Sequence, residues 1–77
     1  MRPRDQRMVG QVLADARVRA GLTQSQLAKR LRKPQSFVSS FEAGQRRLDV
    51  LEFIAISRNV DADELALFKK IRAAFVR

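Results

Sequence analysis

The sequence predicts an all-α protein, a compact bundle of five short helices in one small domain. Three observations lead there. Apolar residues recur at spacings of three and four in five separate stretches, and nowhere in a sustained alternation of period two. Each stretch is bounded by residues that start or stop helices, among them Gly21, Thr23, Pro34, Gly44, Asp49 and Asp61. A chain of 77 residues has material for a single core, near the lower size at which a core holds a fold unaided.

The elements follow in order. Residues 1–7, "MRPRDQR", carry Arg2, Arg4 and Arg7 and almost nothing apolar, and read as a flexible basic arm before a domain over residues 8–77. Val9, Val12, Leu13, Ala16 and Ala20 mark a first helix over about residues 8–20, stopped by Gly21. Thr23 and Gln26 form a capping box that opens a second helix over about 24–31, with Leu27, Ala28 and Leu31 inward. Pro34, tolerated in a first helical turn, opens a third over about 35–43. Val38 and Phe41 face its core side, Phe37 is ambiguous, and Gly44 ends it. Asp49 with Glu52 caps a fourth helix, about 50–58, whose apolar side draws on Val50 or Leu51 with Phe53, Ile54 and Ala55. Asn59 fits a left-handed stop, and Asp61 with Glu64 caps a fifth helix over about 62–75.

Composition narrows the function classes. There is no Cys and no His, so neither a disulfide framework nor the usual metal ligands and general base are present. The carboxylates sit at caps and helix surfaces, with no nucleophile–base pair among them; an enzyme, a metal site and a cofactor are not expected. No apolar run approaches the length of a membrane span, and no leader pattern opens the chain. The net charge is +8, and twelve of the sixteen cations are Arg, the better bidentate partner of phosphate. An anionic macromolecule is the natural partner. RNA is the lesser variant, because the only aromatics are five Phe at mostly core-like positions, with no stacking platform.

The second and third helices, joined by a break of three or four residues, make a helix-turn-helix. In that motif the second helix enters the DNA major groove and its N-terminal side chains meet base edges. Gln35 and Ser36 arrive first, and Ser40 lies one turn further along the same face. A Gln amide offers a donor beside an acceptor, matching adenine N6 and N7. Gln24, at the start of the second helix, falls beside the phosphate strand.

These residues carry a resemblance. "AGLTQSQLAKRL", "PQSFVSSFEAGQRR" and "LDVLEF" resemble the Cro/repressor-type helix-turn-helix domain of phage repressors and Xre-like bacterial regulators, over Val9 to Leu65. The resemblance implies the lambda-repressor-like fold and a transcriptional regulator, in the sense of a repressor, that binds double-stranded DNA sequence-specifically in a bacterial or phage cytoplasm, associated with the nucleoid. It implies base contacts from Gln35, Ser36 and Ser40, and phosphate contacts from Gln24, Gln45, Arg46 and Arg47. Ser39 joins the phosphate group, with plain solvation as its alternative. Gln24 is expected to steady Gln35, and Arg17 with Glu42 to form a partly buried structural ion pair. An antitoxin that masks a toxin partner and autoregulates through the same domain is the alternative reading.

The chain departs from the family pattern in three places. Arg32 stands where Gly is usual in the turn, Pro34 where Ser or Thr often caps the third helix, and Arg58 where Leu is usual. The resemblance also places Leu65 in the core, while Phe68, Ile71 and Phe75 continue the last helix with a further apolar face. That face is read as a homodimer interface; the rival is that it folds over the first helix and completes a monomer core.

Overall fold

The computed structural model describes residues 2–75 and, among them, contains helices and no strand. The helices are α1 (Pro3–Arg19), α2 (Gln24–Leu31), α3 (Gln35–Glu42), α4 (Val50–Asn59) and α5 (Glu64–Ala74). They enclose one core of Leu13, Ala16, Leu27, Ala28, Val38, Phe41, Ile56, Val60 and Leu67. All five elements contribute, so the helix-turn-helix formed by α2 and α3 is held from behind by α1, α4 and α5. The five-helix all-α bundle is the one the periodicity predicts.

Helix one departs most from expectation. It begins at Pro3, so residues 3–7 are further helix, rather more than one turn, and not a flexible arm. Pro3 occupies the first helical position, where a missing N–H costs nothing. Asp5 folds back, its carboxylate accepting the Arg2 N–H at 3.4 Å. Polar composition alone pointed to an arm; the local start signals and the packing of Gln6 and Arg7 against the loop after α3 decide otherwise. Gly10, buried in this helix, is where α1 touches α3 backbone to backbone. A Cβ there would stand 2.4 Å from the carbonyl oxygen of Phe41 and 2.5 Å from that of Glu42.

Helices α1 to α4 end alike. Gly21, Arg32, Gly44 and Asp61 take φ of 75°, 57°, 77° and 55°. Each donates its N–H to the carbonyl three residues back, and the next residue donates to the carbonyl five back, the Schellman pattern. The stop after α4 is therefore Asp61 and not Asn59, which stays helical and donates its side-chain amide to the Ala55 carbonyl at 2.8 Å. With Asp61 used as the stop, Asp63 caps α5 instead, accepting the Leu65 N–H at 3.1 Å. Arg32 keeps the left-handed conformation that family members give to Gly.

Two apolar faces also differ. In α4 the buried positions are Ile56 and Ser57, with Val60 just beyond the helix. Phe53 packs at the edge, while Val50 and Leu51 are exposed. The run "VLEFIAI" offers several overlapping helical stripes, and the crossing of α4 over α2 selects one. In α5 the buried residue is Leu67; Leu65 lies 65% exposed. Arg58 does not line the core; it extends into solvent and pairs with Glu64 at 3.3 Å.

Candidate nucleic-acid interface

The presented surface is built outward from one ion pair. Glu42 closes α3, and its carboxylate receives Arg17 Nε at 2.7 Å and Arg17 Nη2 at 3.0 Å. Arg17 Nη1 also donates to the carbonyl of Leu22 at 2.7 Å, tying α1 to the start of α2. Both side chains are largely buried, with 14% and 7% of their surface exposed, so the pairing is required by the cost of leaving either charge alone. The hydrogen bond that Arg17 donates to Glu42 raises the affinity of Arg17 for its proton; burial opposes this to a lesser degree.

A chain of side chains leads from this pair to the outside. Gln24 Nε2 donates to Glu42 Oε1 at 2.9 Å, which fixes the orientation of its amide. Gln24 Oε1 then accepts from Gln35 Nε2 at 2.7 Å. Gln35 is exposed at the first position of α3, and its rotamer is set through Gln24 by the Glu42 carboxylate two side chains away. Its second amide hydrogen and its carbonyl oxygen remain side by side for a ligand.

The remaining expected residues lie along α3 and the loop behind it. Ser36 is exposed, while Ser39 and Ser40 are half-buried. The Ser39 hydroxyl donates back to the carbonyl of Ser36 at 3.2 Å. Gln45, Arg46 and Arg47 are all exposed. Arg46 is nonetheless held. Its guanidinium lies 4.7 Å from the centre of the Phe37 ring, donates to Glu52 at 3.1 and 2.9 Å, and donates to the Arg47 carbonyl at 2.7 Å. Phe37 in turn meets Phe41 edge to face at 5.5 Å and carries Lys33 Nζ at 5.6 Å from its ring centre. Phe37, ambiguous by spacing, is thus the hinge between the core and the basic surface. Glu52 was visible in the sequence only as half of a capping box; its bonds to Arg46 needed the loop to fold back over α3. Gln6, turned with its amide nitrogen toward Gly44, donates to the Gly44 carbonyl and accepts from Arg47 Nε, both at 2.9 Å. No pattern in the sequence marks that contact.

Elsewhere, α5 turns Phe68 outward and leaves Phe75 at its exposed end, with Ile71 half-buried. Among the described residues no helix is long and apolar enough to cross a membrane, and no group of three or more carboxylates is gathered as a metal site.

Comparison with known proteins agrees with this geometry. No curated protein sequence matches the chain. Among solved structures, an XRE-family-like protein from Pseudomonas syringae pv. tomato is 42% identical over 95% of this chain and 89% of its own, with a TM-score of 0.82. The restriction-modification controller protein C.AhdI from Aeromonas hydrophila is 29% identical over 86% of this chain and 96% of its own, with a TM-score of 0.79. The clp gene regulator ClgR from C. glutamicum shares the fold, with a TM-score of 0.84 over 94% of each chain, at only 17% identity. The helix-turn-helix family profile spans residues 13–65, from the core of α1 through α2 and α3 to the start of α5. With that match and the XRE-like structure, the chain belongs to the Cro/C1-type helix-turn-helix family of DNA-binding transcriptional regulators.

Proposed function

We propose that the protein is a sequence-specific repressor that inserts α3 into the major groove of double-stranded DNA as a homodimer. The carrying observation is the relay Arg17–Glu42–Gln24–Gln35. Besides tying α1 to the start of α2, the ion pair orients one exposed amide at the first position of α3, which supports a surface that reads base edges. Gln35 offers its remaining hydrogen and oxygen to one base edge, with adenine the best match. Ser36 and Ser40 follow along the groove. The second Gln24 hydrogen, Ser39, Gln45, Arg46 and Arg47 take phosphates. Arg46 does so by sharing its guanidinium with Glu52. A domain seated on a promoter blocks transcription by occupancy alone, which is the sense in which it represses.

One α3 covers few base pairs, so two-fold pairing with half-sites about 34 Å apart supplies the selectivity. The exposed α5 residues Phe68 and Phe75, with Ile71 beside them, are the proposed contact.

The test is selection of bound sites from random duplex DNA, followed by titration of the winner. Log affinity should fall with log salt at a slope of about −5 or steeper for a dimer making six or more phosphate contacts. Gln35→Ala should lose about 1–3 kcal/mol at the selected site and relax choice at one base. Arg47→Ala should weaken all sequences alike and flatten the slope by about one. A salt-insensitive response at every sequence defeats the reading.

A further inference from the structure

We propose that the first two turns of α1 belong to the phosphate-gripping surface, with Arg7 as a direct contact and Gln6 as the residue that positions Arg47. The inference rests on the DNA-binding reading above and extends it to residues outside the family match, which begins at residue 13.

Three observations on different atoms converge. Residues 3–7 are helical, so Gln6 and Arg7 have fixed places on α1. Gly44, at the end of α3, is in direct contact with that helix. A Cβ on Gly44 would lie 2.6 Å from Arg7 Cγ, 2.7 Å from Arg7 N and 2.8 Å from Arg7 Cα. The start of the Arg7 side chain therefore lies against the turn that leads into Gln45, Arg46 and Arg47, and Arg7 as a residue is exposed. Finally, Gln6 bridges the Gly44 carbonyl and Arg47 Nε. Using Nε for this bond fixes the plane of the guanidinium and leaves both terminal nitrogens, the pair that suits two oxygens of one phosphate.

The other arginine of this segment behaves differently. Arg4 is also exposed, but it lies around the helix, with Asp5 and Met8, next to Ala74 at the end of α5. Arg4 and Arg7 carry the same charge at similar places in the sequence. Only Arg7 faces the loop, which makes Arg4 an internal control for non-specific loss of charge.

The experiment is fluorescence anisotropy on the selected duplex, across a salt series, with thermal melts to establish that each variant is folded. Arg7→Ala should weaken binding roughly three- to tenfold and flatten the salt slope by about one. Arg4→Ala should leave the slope where it is in wild type. Gln6→Ala should cost severalfold in the wild-type background and almost nothing in an Arg47→Ala background, because its action passes through Arg47. Equal slopes for Arg7→Ala and Arg4→Ala overturn the proposal, as does a Gln6→Ala loss of the same size in both backgrounds. Wild-type protein that binds no duplex at all defeats the DNA-binding reading beneath it, an outcome distinct from either.

Discussion

At the scale of single residues, backbone conformation and close approach decide more than side-chain chemistry. Gly10 and Arg32 make opposite predictions. Replacing Gly10 by Ala gains about 1 kcal/mol of helix propensity. The new Cβ, however, meets carbonyl oxygens of Phe41 and Glu42 at 2.4 and 2.5 Å, and backbone cannot swing aside as a side-chain tip would. Overpacking of this kind costs about 1–3 kcal/mol, and contact with rigid backbone puts it at the upper end, so the expected outcome is a net loss of about 1–2 kcal/mol in urea unfolding. The same shift displaces Glu42, so DNA affinity should fall with stability. Arg32 sits at φ 57°, a conformation that strains an L-residue by about 1–2 kcal/mol. Arg32→Gly relieves that strain and gives back about 0.4–1 kcal/mol through the freer unfolded chain. A net gain of about 0.5–1 kcal/mol, a few degrees in Tm, is expected. An unchanged or lowered Tm would show that the Arg32 side chain contributes more than its backbone strain costs.

Among the elements, the start of α4 is held by a carboxylate with two duties. Glu52 accepts the Asp49 N–H at 2.9 Å, closing the capping box, and receives the Arg46 guanidinium. The hydrogen bond from Arg46, and after it the one from the Asp49 N–H, hold its carboxyl below the ordinary range. A carboxyl depressed on folding stabilises the protein at pH above its unfolded value, about 4.3, and loses that contribution as the pH falls through the lower folded value. The Tm difference between wild type and Glu52→Gln should therefore be constant from pH 6 to 8, about two units above that value, and shrink below pH 4 or so. A difference that stays independent of pH well below the unfolded value would mean that the charge of Glu52 does not contribute. Because Arg46 rests on Phe37, release of Glu52 should also loosen the loop that carries Arg46 and Arg47.

For the molecule as a whole, the question is what covers α5. Its outer face presents Leu65 and Phe68, which are 65% and 54% exposed, and ends at Phe75. Among the described residues Leu67 is the one buried residue of this helix, and Ile71 is half-buried. A net charge of +8 disfavours random association, so the proposed pairing would rest on apolar contact. Light scattering after gel filtration should find a dimer at tens of micromolar, a range typical of modest interfaces. Leu65→Asp with Phe68→Asp should give a folded monomer whose DNA affinity has dropped by the loss of the second half-site. A monomeric wild type, or a double variant that remains dimeric, places the contact elsewhere or removes it.

By itself the sequence determined the class of fold, the helix-turn-helix and the surface that reads DNA in the proposed function. These depend on local rules: the Thr23–Gln26 and Asp49–Glu52 boxes, the stops at Gly21 and Gly44, and the spacing of Leu27, Val38 and Phe41 act within a turn or two of chain. Gln24 and Gln35 stood out for the same reason, as polar residues at helix starts. What only the tertiary structure decided depends on elements meeting. Residues 3–7 became helix because Gln6 and Arg7 found the Gly44 turn, a contact across more than thirty residues of sequence. Asp61 displaced Asn59 as the stop of α4, and Asp63 then took over the cap of α5, because one residue cannot hold both backbone conformations. Leu67 rather than Leu65 entered the core because the rotation of α5 is set by the surface of α1 and α4 that it lies on, and not by its own apolar residues, which run on more than one side. Periodicity says that a helix has an inner face; only the packing partner says which one.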